Sequence, residues 1–382
     1  VVTFIGGETS AAKLVGFTLQ NGNGLMINNR RHGGGIYTKS ASPSLKHLII
    51  RNNANSFSDI YGGGIYFGQY SDAFLDSSVI VNNGKANNVG RGGGIYLNIR
   101  SDVSLDSVLV VNNKARLGGG IYTIGKLTSA THILNRVAIK SNHATDGGGI
   151  IVGGTGSGIV KIYNSEISNN TATGNGGGLY IYRSSNKIKL YDISIKLNSA
   201  QNKGGGIYVY DAKPRIERSL FEGNASKYGG AIFLERQSVE LRLINSILYN
   251  NTATELGSAI YTSNLSTVKF YHTTISKNTA GIDFTIRGNG GSNIYFYNSI
   301  LWDNSATNQI SFYGAGSTAG RFEAKNSIIQ GLDSIIISDN NDVVDTDNTN
   351  FETDPFFSDA VLYDFTLKNY SPAIGYGTND VA

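Results

Sequence analysis

Residues 92–121 read GGGIYLNIRSDVSLDSVLVVNNKARLGGGI, and units of this kind recur along most of the chain. A glycine triplet and an aliphatic residue open each unit, and an asparagine follows about twenty residues later. The aliphatic residue, with a mean spacing of about 29 residues, falls at Ile36, Ile65, Ile95, Ile121, Ile150, Leu179, Ile207, Ile232, Ile260 and Ile294. The asparagine, with a mean spacing of about 28 residues, falls at Asn53, Asn83, Asn113, Asn142, Asn170, Asn198, Asn224, Asn251, Asn278 and Asn304. Two markers that keep one period over ten copies predict a solenoid.

Short runs of alternating apolar and polar residues separate the markers, for example residues 103–106 and 108–111. They are too short for helices and rich in β-forming side chains. Three such strands and three corners fit the observed period, and consecutive coils would pair as parallel strands about 4.8 Å apart. The sequence therefore predicts an all-β, single-stranded right-handed parallel β-helix of about eleven or twelve coils. We expect repeat coils in residues 1–304, and irregular final coils with a C-terminal cap of the same solenoid in residues 305–382.

The composition excludes several classes of function. The 382 residues include 49 glycines, no cysteine and a formal net charge of +4. Without cysteine the chain has no disulfide, thiol nucleophile or thiolate metal ligand. Such a weak charge does not favour a nucleic-acid partner, and no apolar run approaches the ~18 residues of a transmembrane segment.

The asparagine marker suits a structural role. Asparagine tolerates the left-handed backbone of a corner, and its amide can bond the equivalent amide in the next coil. We therefore expect a buried asparagine ladder formed by Asn83, Asn113, Asn142, Asn170, Asn198, Asn251 and Asn278.

A column of aromatic residues follows the aliphatic marker. Side chains alternate along a strand, so an inward aliphatic residue implies that the next residue points outward. The candidate ligand or assembly face consists of Tyr66, Tyr96, Tyr122, Tyr180, Tyr182, Tyr208, Tyr210, Tyr261 and Tyr295. An exposed row of tyrosines could bind sugar rings or another protein. The alternative is that stacked tyrosines only stiffen the sheet.

These repeats resemble those of right-handed parallel β-helix proteins secreted by bacteria, the pectate-lyase-like solenoids, and they are similar to the repeats of polymorphic outer-membrane adhesins. Residues 16–22 (GFTLQNG) look like the opening coil of the secreted group. Its closing section is similar to residues 298–302 (NSILW), 326–331 (NSIIQG), 354–357 (DPFF) and 371–374 (SPAI). The resemblance implies a β-helix and export from the cell. It leaves the activity open, because the group includes surface proteins, adhesins and polysaccharide-active enzymes.

The resemblance implies that an enzyme with this fold would most often cleave acidic polysaccharides. The hydrolases of the group need several carboxylates on adjacent coils. Asp76 and Asp106 are the candidate pair here, because they occupy equivalent positions in adjacent repeats. The other residues of that column are chiefly Asn, so a corner preference for Asp and Asn also explains the two carboxylates. The five histidines are expected to be surface or corner residues.

An acidic stretch near the C-terminal end is the candidate metal site, with Asp342, Asp345 and Asp347 as ligands. Carboxylate oxygens suit Ca²⁺, and residues 345–347 begin like a calcium-binding loop. Asn350, however, stands where that loop requires glycine. The alternative is a solvated loop that leads into the cap.

The leading hypothesis is a non-enzymatic secreted or cell-surface protein, an adhesin or fibre-forming subunit that uses the tyrosine face. We expect no catalytic residues, and no cofactor unless Ca²⁺ occupies the acidic stretch. The expected partners are cell-surface glycans, or further copies of the chain joined laterally or head-to-tail through unpaired strand edges. The alternative hypothesis is a polysaccharide lyase or glycoside hydrolase.

Overall fold

The computed structural model describes residues 1–54, 59–85, 90–98, 100–124, 131–154, 158–184, 188–237, 239–313, 319–337 and 342–378. These residues wind into an all-β parallel solenoid with three long sheets, which we call A, B and C. Each coil contributes one strand to each long sheet, so residues about one repeat apart lie side by side. The predicted right-handed parallel β-helix is confirmed.

Sheet A follows the glycine triplets and has 13 strands. They are β1 (Val2–Phe4), β6 (Ile36–Thr38), β10 (Ile65–Phe67), β13 (Ile95–Leu97), β16 (Ile121–Ile124), β20 (Ile150–Gly153), β24 (Leu179–Ser184), β28 (Ile207–Ala212), β32 (Ile232–Glu235), β36 (Ile260–Ser263), β40 (Ile286–Asn289), β43 (Ile310–Tyr313) and β46 (Ile336–Ile337).

Sheet B also has 13 strands. They are β2 (Lys13–Val15), β7 (Ser44–Lys46), β11 (Phe74–Asp76), β14 (Ser104–Asp106), β17 (Thr131–Asn135), β21 (Ile159–Tyr163), β25 (Ile188–Tyr191), β29 (Arg215–Glu217), β33 (Glu240–Ile244), β37 (Thr267–Tyr271), β41 (Asn293–Tyr297), β44 (Arg321–Lys325) and β47 (Val343–Thr346).

Sheet C precedes the asparagine column and has 12 strands. They are β3 (Thr18–Gln20), β8 (Ile49–Arg51), β12 (Val79–Val81), β15 (Leu109–Val111), β18 (Ala138–Lys140), β22 (Glu166–Ser168), β26 (Ser194–Lys196), β30 (Leu220–Glu222), β34 (Ile247–Tyr249), β38 (Thr274–Ser276), β42 (Ile300–Trp302) and β45 (Ile328–Ile329).

A short fourth sheet, D, lies between the asparagine column and the glycine triplets and was not expected from the sequence. Its six strands are β19 (His143–Ala144), β23 (Thr171–Ala172), β27 (Ser199–Ala200), β31 (Ala225–Tyr228), β35 (Thr252–Leu256) and β39 (Thr279–Ala280). Most are only two residues long, so they lack the alternation that identifies a strand in a sequence. The prediction of three strands in each coil is correct for the three long sheets. It misses the fourth strand that the coils in the middle of the solenoid add to sheet D.

The remaining strands lie near the two ends of the solenoid. Strands β4 (Leu25–Ile27) and β5 (Arg30–His32) form an antiparallel hairpin, and β9 (Ile60–Tyr61) pairs with β5. At the other end, β48 (Phe357–Asp359) and β49 (Asp364–Leu367) form a second antiparallel hairpin. This hairpin packs Phe365 on Tyr249, on the outer face of sheet C, with 5.5 Å between ring centroids. A 3₁₀ turn at Leu332–Ser334 lies before β46.

The core is a stack of aliphatic side chains that repeats from coil to coil. Ile95 lies between Ile65 and Ile121 in sheet A, and Leu105 lies between Leu75 and Leu134 in sheet B. All six side chains are fully buried in one continuous apolar cluster. Each coil covers the apolar surface of its neighbours, which is how a repeat protein builds a core without a wide globular interior.

The asparagine ladder is confirmed. The backbone amide of Asn142 donates to Asn170 Oδ1 at 2.9 Å, and Asn142 Nδ2 donates to the same oxygen at 3.0 Å. The pattern repeats from Asn53 to Asn304 and includes every predicted member. Each side chain thus satisfies a buried corner and ties two coils together.

His132 differs from the expectation for a surface or corner residue. It lies within β17, fully buried, in register with Val160 of the next coil. Neither ring nitrogen has a hydrogen-bond partner in the described structure. Burial lowers the pKa of His132 to about 4, so the ring is neutral at pH 7.

His132 should make the stability depend on pH. Between pH 6.5 and about 4 the unfolded chain binds a proton at this histidine and the folded chain does not. The free energy of unfolding therefore decreases as the pH is lowered through this range. The expected loss reaches about 3 kcal/mol near pH 4. In urea titrations at pH 7 and pH 4.5, H132V should lose this part of the pH dependence, whereas H272N, at an exposed corner, should retain it. An unchanged pH dependence in H132V would contradict the assignment.

Candidate functional site

The tyrosine column lies on sheet A outside the aliphatic core. Tyr66 pairs in register with Tyr37 and Tyr96, one residue after the core isoleucines. Tyr96 and Tyr122 belong to an apolar cluster separate from the main core. The predicted inside–outside alternation is therefore correct for sheet A.

The rings do not form the open, flat face that the sequence suggested. Tyr96, Tyr122 and Tyr208 are only 8%, 3% and 4% exposed. Successive rings from Tyr37 to Tyr122 stack with centroid distances of 5.4, 4.9 and 5.3 Å. Each ring packs against the rings of the neighbouring coils, so this part of the column stiffens the sheet.

A second column, formed by the residues before the glycine triplets, covers the tyrosines from the side. Tyr61, Arg91 and Leu117 pair across successive coils through isolated bridges. The Arg91 guanidinium lies 5.3 Å from the Tyr61 ring centroid and 5.4 Å from that of Tyr122. Burial in this packing raises the pKa of Tyr96, so its hydroxyl stays neutral.

The C-terminal half of the column is held by charge as well as by stacking. Tyr208 Oη donates to Glu235 Oε2 at 2.8 Å, and Lys203 Nζ lies 2.8 Å from the same oxygen. Burial, followed by the hydrogen bond to Glu235, raises the pKa of Tyr208. The remaining predicted members, Tyr180, Tyr182, Tyr210 and Tyr261, are half-buried on the same sheet.

Tyr295 does not belong to this face, and its predicted position is wrong. It lies in β41 of sheet B, in register with Lys269. The position next to Tyr261 in sheet A is occupied by Arg287. The glycines at 290 and 291 follow strand β40 instead of preceding a sheet A strand, so they are not a degenerate copy of the triplet.

A groove lined in part by aromatic residues lies at the N-terminal end of the column. The hairpin β4–β5 stands beside sheet A and encloses a groove of about 590 Å³. Its lining includes Arg30, His32, Tyr37, Lys39, Tyr61 and Tyr66. The groove thus combines aromatic rings with cationic side chains, and further amide groups complete the rim.

His32 organises the aromatic part of the groove. Its ring contacts Tyr61 and Tyr66 edge-on, with centroid distances of 5.5 and 4.7 Å. Nδ1 of His32 is buried without a hydrogen-bond partner in the described residues. Burial lowers the pKa of His32. Arg30 Nη1 donates to Tyr61 Oη at 2.8 Å and fixes the open side of that ring.

The repeat pattern does not predict this groove, although the sequence carries one signal for it. Asn28 and Asn29 connect β4 to β5, and both have positive φ (48° and 61°), as a tight hairpin turn requires. An Asn-Asn pair between two short runs is a hairpin signal. The repeat pattern does not include it, because the hairpin is an insertion in one coil.

Asp76 and Asp106 are neighbours in sheet B, as predicted from their repeat positions. Each carboxylate faces a cation: Asp76 lies 3.8 Å from Lys46 Nζ, and Asp106 lies 2.6 Å from Arg136 Nη2. Asn135 and Ser107 also donate to Asp106. Each aspartate is thus neutralised by a cation from a neighbouring coil, as a structural residue at a strand end would be.

The predicted metal ligands have separate partners. Asp342 Oδ1 accepts a hydrogen bond from the Gly320 amide at 2.6 Å, and Asp345 forms an ion pair with Arg321 at 2.5 Å. Asp347 accepts from the Thr349 amide at 3.0 Å. Asp345 belongs to β47, the last strand of sheet B, so the predicted loop at this residue is wrong. Within the described ranges, no three His, Asp or Glu side chains are grouped as metal ligands.

The chain belongs to the family described as right handed beta helix region, which it matches over residues 4–192 and 148–341. These matches cover most of the repeats and agree with the observed fold. No curated protein and no solved structure shows significant similarity to the chain. No helix in the described part of the chain has the length and apolar character needed to cross a bilayer.

Proposed function

We propose that this β-helix is a secreted or cell-surface protein that binds glycans in the groove between the β4–β5 hairpin and sheet A. One observation carries the proposal: the half-buried rings of Tyr61 and Tyr66 line the groove together with Arg30, Lys39 and amide side chains. Sugar rings bind through their C–H faces to aromatic rings and through their hydroxyls to charged and amide groups. The extracellular location rests on the resemblance of the repeats to secreted solenoids.

Binding without turnover agrees with the contacts of the acidic candidates. A retaining or inverting glycosidase needs two carboxylates flanking one bond. Asp76 and Asp106 instead contact Lys46 and Arg136, and neither belongs to the groove lining. The proposal therefore places recognition in the groove and assigns structural roles to these two residues.

The groove should bind linear oligosaccharides, and Tyr61 should carry much of the affinity. We expect Y61A to weaken the binding of a probe such as cellohexaose, xylohexaose or mannohexaose at least tenfold in calorimetric titrations, because the half-buried Tyr61 ring lines the groove and its removal takes apolar surface from the site. Y313A is the matched control, since Tyr313 is exposed on sheet A at the far end of the solenoid.

Two outcomes would count against this function. Equal affinities for Y61A and the unmodified chain would remove the groove from glycan recognition. Release of reducing ends or unsaturated products, abolished by D76N, would instead establish the polysaccharide-cleaving alternative.

A further inference from the structure

The outer face of sheet C carries apolar side chains in an early and in a late group of coils. In the early group, Ile49, Val79 and Leu109 lie side by side, and Val81 lies beside Val111 two residues further along the strands. We call these five residues the apolar patch. The late group occupies the equivalent positions of β30, β34 and β42 and consists of Leu220, Ile247, Tyr249, Ile300 and Trp302.

Between the two groups the same face of sheet C is charged. Lys140 pairs with Glu166 at 2.7 Å and Lys196 pairs with Glu222 at 2.9 Å, in each case between neighbouring coils. Such side chains are typical of a sheet face that is exposed to water. The two apolar groups therefore mark the parts of the face that are suited to contact with protein.

The chain itself covers the late group. Phe357 and Phe365 of the β48–β49 hairpin pack with Tyr249 in a cluster whose three members are at most 9% exposed. The apolar patch has no matching hairpin within the described residues. Ile49 is 41% exposed, and the other four side chains of the patch are half-buried.

The tip of the β48–β49 hairpin exposes the complementary apolar surface. Val361 and Leu362 are 79% and 77% exposed, the largest fractions among the large apolar side chains that the structure describes. Their amides donate to Asp359 Oδ1 at 3.1 and 3.0 Å. The Tyr363 ring lies 4.8 Å from the Tyr249 ring centroid. The tip is therefore ordered before a partner binds, which lowers the entropic cost of docking.

The charges beside the tip and beside the patch are of opposite sign. Asp359 and Asp364 pair across the hairpin next to the tip, and both are exposed. Arg51 borders the patch, in register with Val81, and is also exposed. Its Nε donates to Gln20 Oε1 at 2.9 Å, so this contact leaves its charge available to a carboxylate.

We propose that the apolar patch binds the hairpin tip of a second copy of this chain, in a two-fold pair of solenoids packed through sheet C. The tip and the patch lie on one face of the same sheet, so two antiparallel copies make the contact twice. Val361 and Leu362 then exclude water from the patch, while Asp359 and Asp364 approach Arg51. This pairing does not depend on glycan binding in the groove beside sheet A.

The tip is too far from the patch of its own chain to occupy it. The hairpin packs on Tyr249 of β34, which lies five strands beyond β15 in sheet C. At about 4.8 Å for each strand, the separation is roughly 24 Å. A second copy carries the same tip, which already fits an apolar group on this face, and it is therefore the occupant that the structure favours.

Sedimentation of the full chain over a range of concentrations tests the pairing. We expect a dimer with a dissociation constant below about 100 μM. V361S/L362S, which alters the tip, and V79T/V111T, which alters the patch, should each weaken dimerisation at least tenfold. I282S is the matched control, because Ile282 is 66% exposed outside the strands of sheet C. Circular dichroism checks that each variant is folded.

Mixing the two double variants shows which surfaces meet. V361S/L362S keeps the patch and V79T/V111T keeps the tip, so a mixed pair retains one of the two contacts, whereas neither variant retains a contact with itself. The mixture should form heterodimers at concentrations where each variant alone is monomeric. Four results would overturn the proposal: a monomer at all concentrations, unchanged dimerisation in either double variant, no heterodimer in the mixture, or polymers larger than a dimer.

Discussion

Replacing Gly148 by alanine is expected to lower the free energy of unfolding by about 4 kcal/mol or more. Gly148 is the middle residue of its triplet. An added Cβ would lie 2.4 Å from the Thr171 carbonyl oxygen and 2.5 Å from that of Gly177. Both oxygens belong to the backbone of the next coil, so neither can move without breaking the pairing between coils. Urea denaturation followed by circular dichroism measures the loss.

Gly16 provides the control for G148A. It has a positive φ of 77°, and nothing lies within 4 Å of an added Cβ. G16A should therefore cost only the strain of a left-handed backbone, about 1–2 kcal/mol. A smaller loss in G148A than in G16A would mean that backbone conformation, and not the close approach of coils, explains the glycine triplet.

The second large effect is expected for N170L, which should destabilise the solenoid by about 4 kcal/mol. The Asn170 side chain accepts two hydrogen bonds from Asn142 and donates to the Ile139 carbonyl at 2.9 Å and to Asn198 Oδ1 at 2.9 Å. Leucine has the same branched arrangement of side-chain heavy atoms but no acceptor, so the two N–H groups of Asn142 that donate to Asn170 Oδ1 lose their partner. Unpaired buried groups cost about 1–3 kcal/mol each.

Hydrogen exchange should localise the damage in N170L. Neighbouring repeats stabilise one another, so the amides of the coils around Asn142 and Asn198 should exchange faster while those of distant coils change little. N202A, which removes an exposed asparagine outside the ladder, should change the stability by less than about 0.5 kcal/mol. Equal stability losses in N170L and N202A would contradict the structural importance of the ladder.

Local periodicity carried the successful predictions. Alternation within the strands identified which side chain of each Ile-Tyr pair lies inside, and the repeated asparagine identified the ladder. Both features repeat identically in space because parallel strands in register place like residues beside like. Insertions and irregular copies defeated the same reasoning. The sequence pattern predicts the wrong sheet for Tyr295, because the glycine pair after β40 resembles the triplet that precedes a sheet A strand.

The chain's repeat alone specifies the β-helix, its inward aliphatic stack and its asparagine ladder, because these depend on contacts between equivalent positions. Folding was needed to reveal that Tyr96 and Tyr122 are covered and that His32 and Tyr61 line a groove. Burial and neighbourhood at those positions depend on corners of unequal length and on an inserted hairpin. Such segments change which side chains become neighbours, and the repeat period alone does not predict those neighbours.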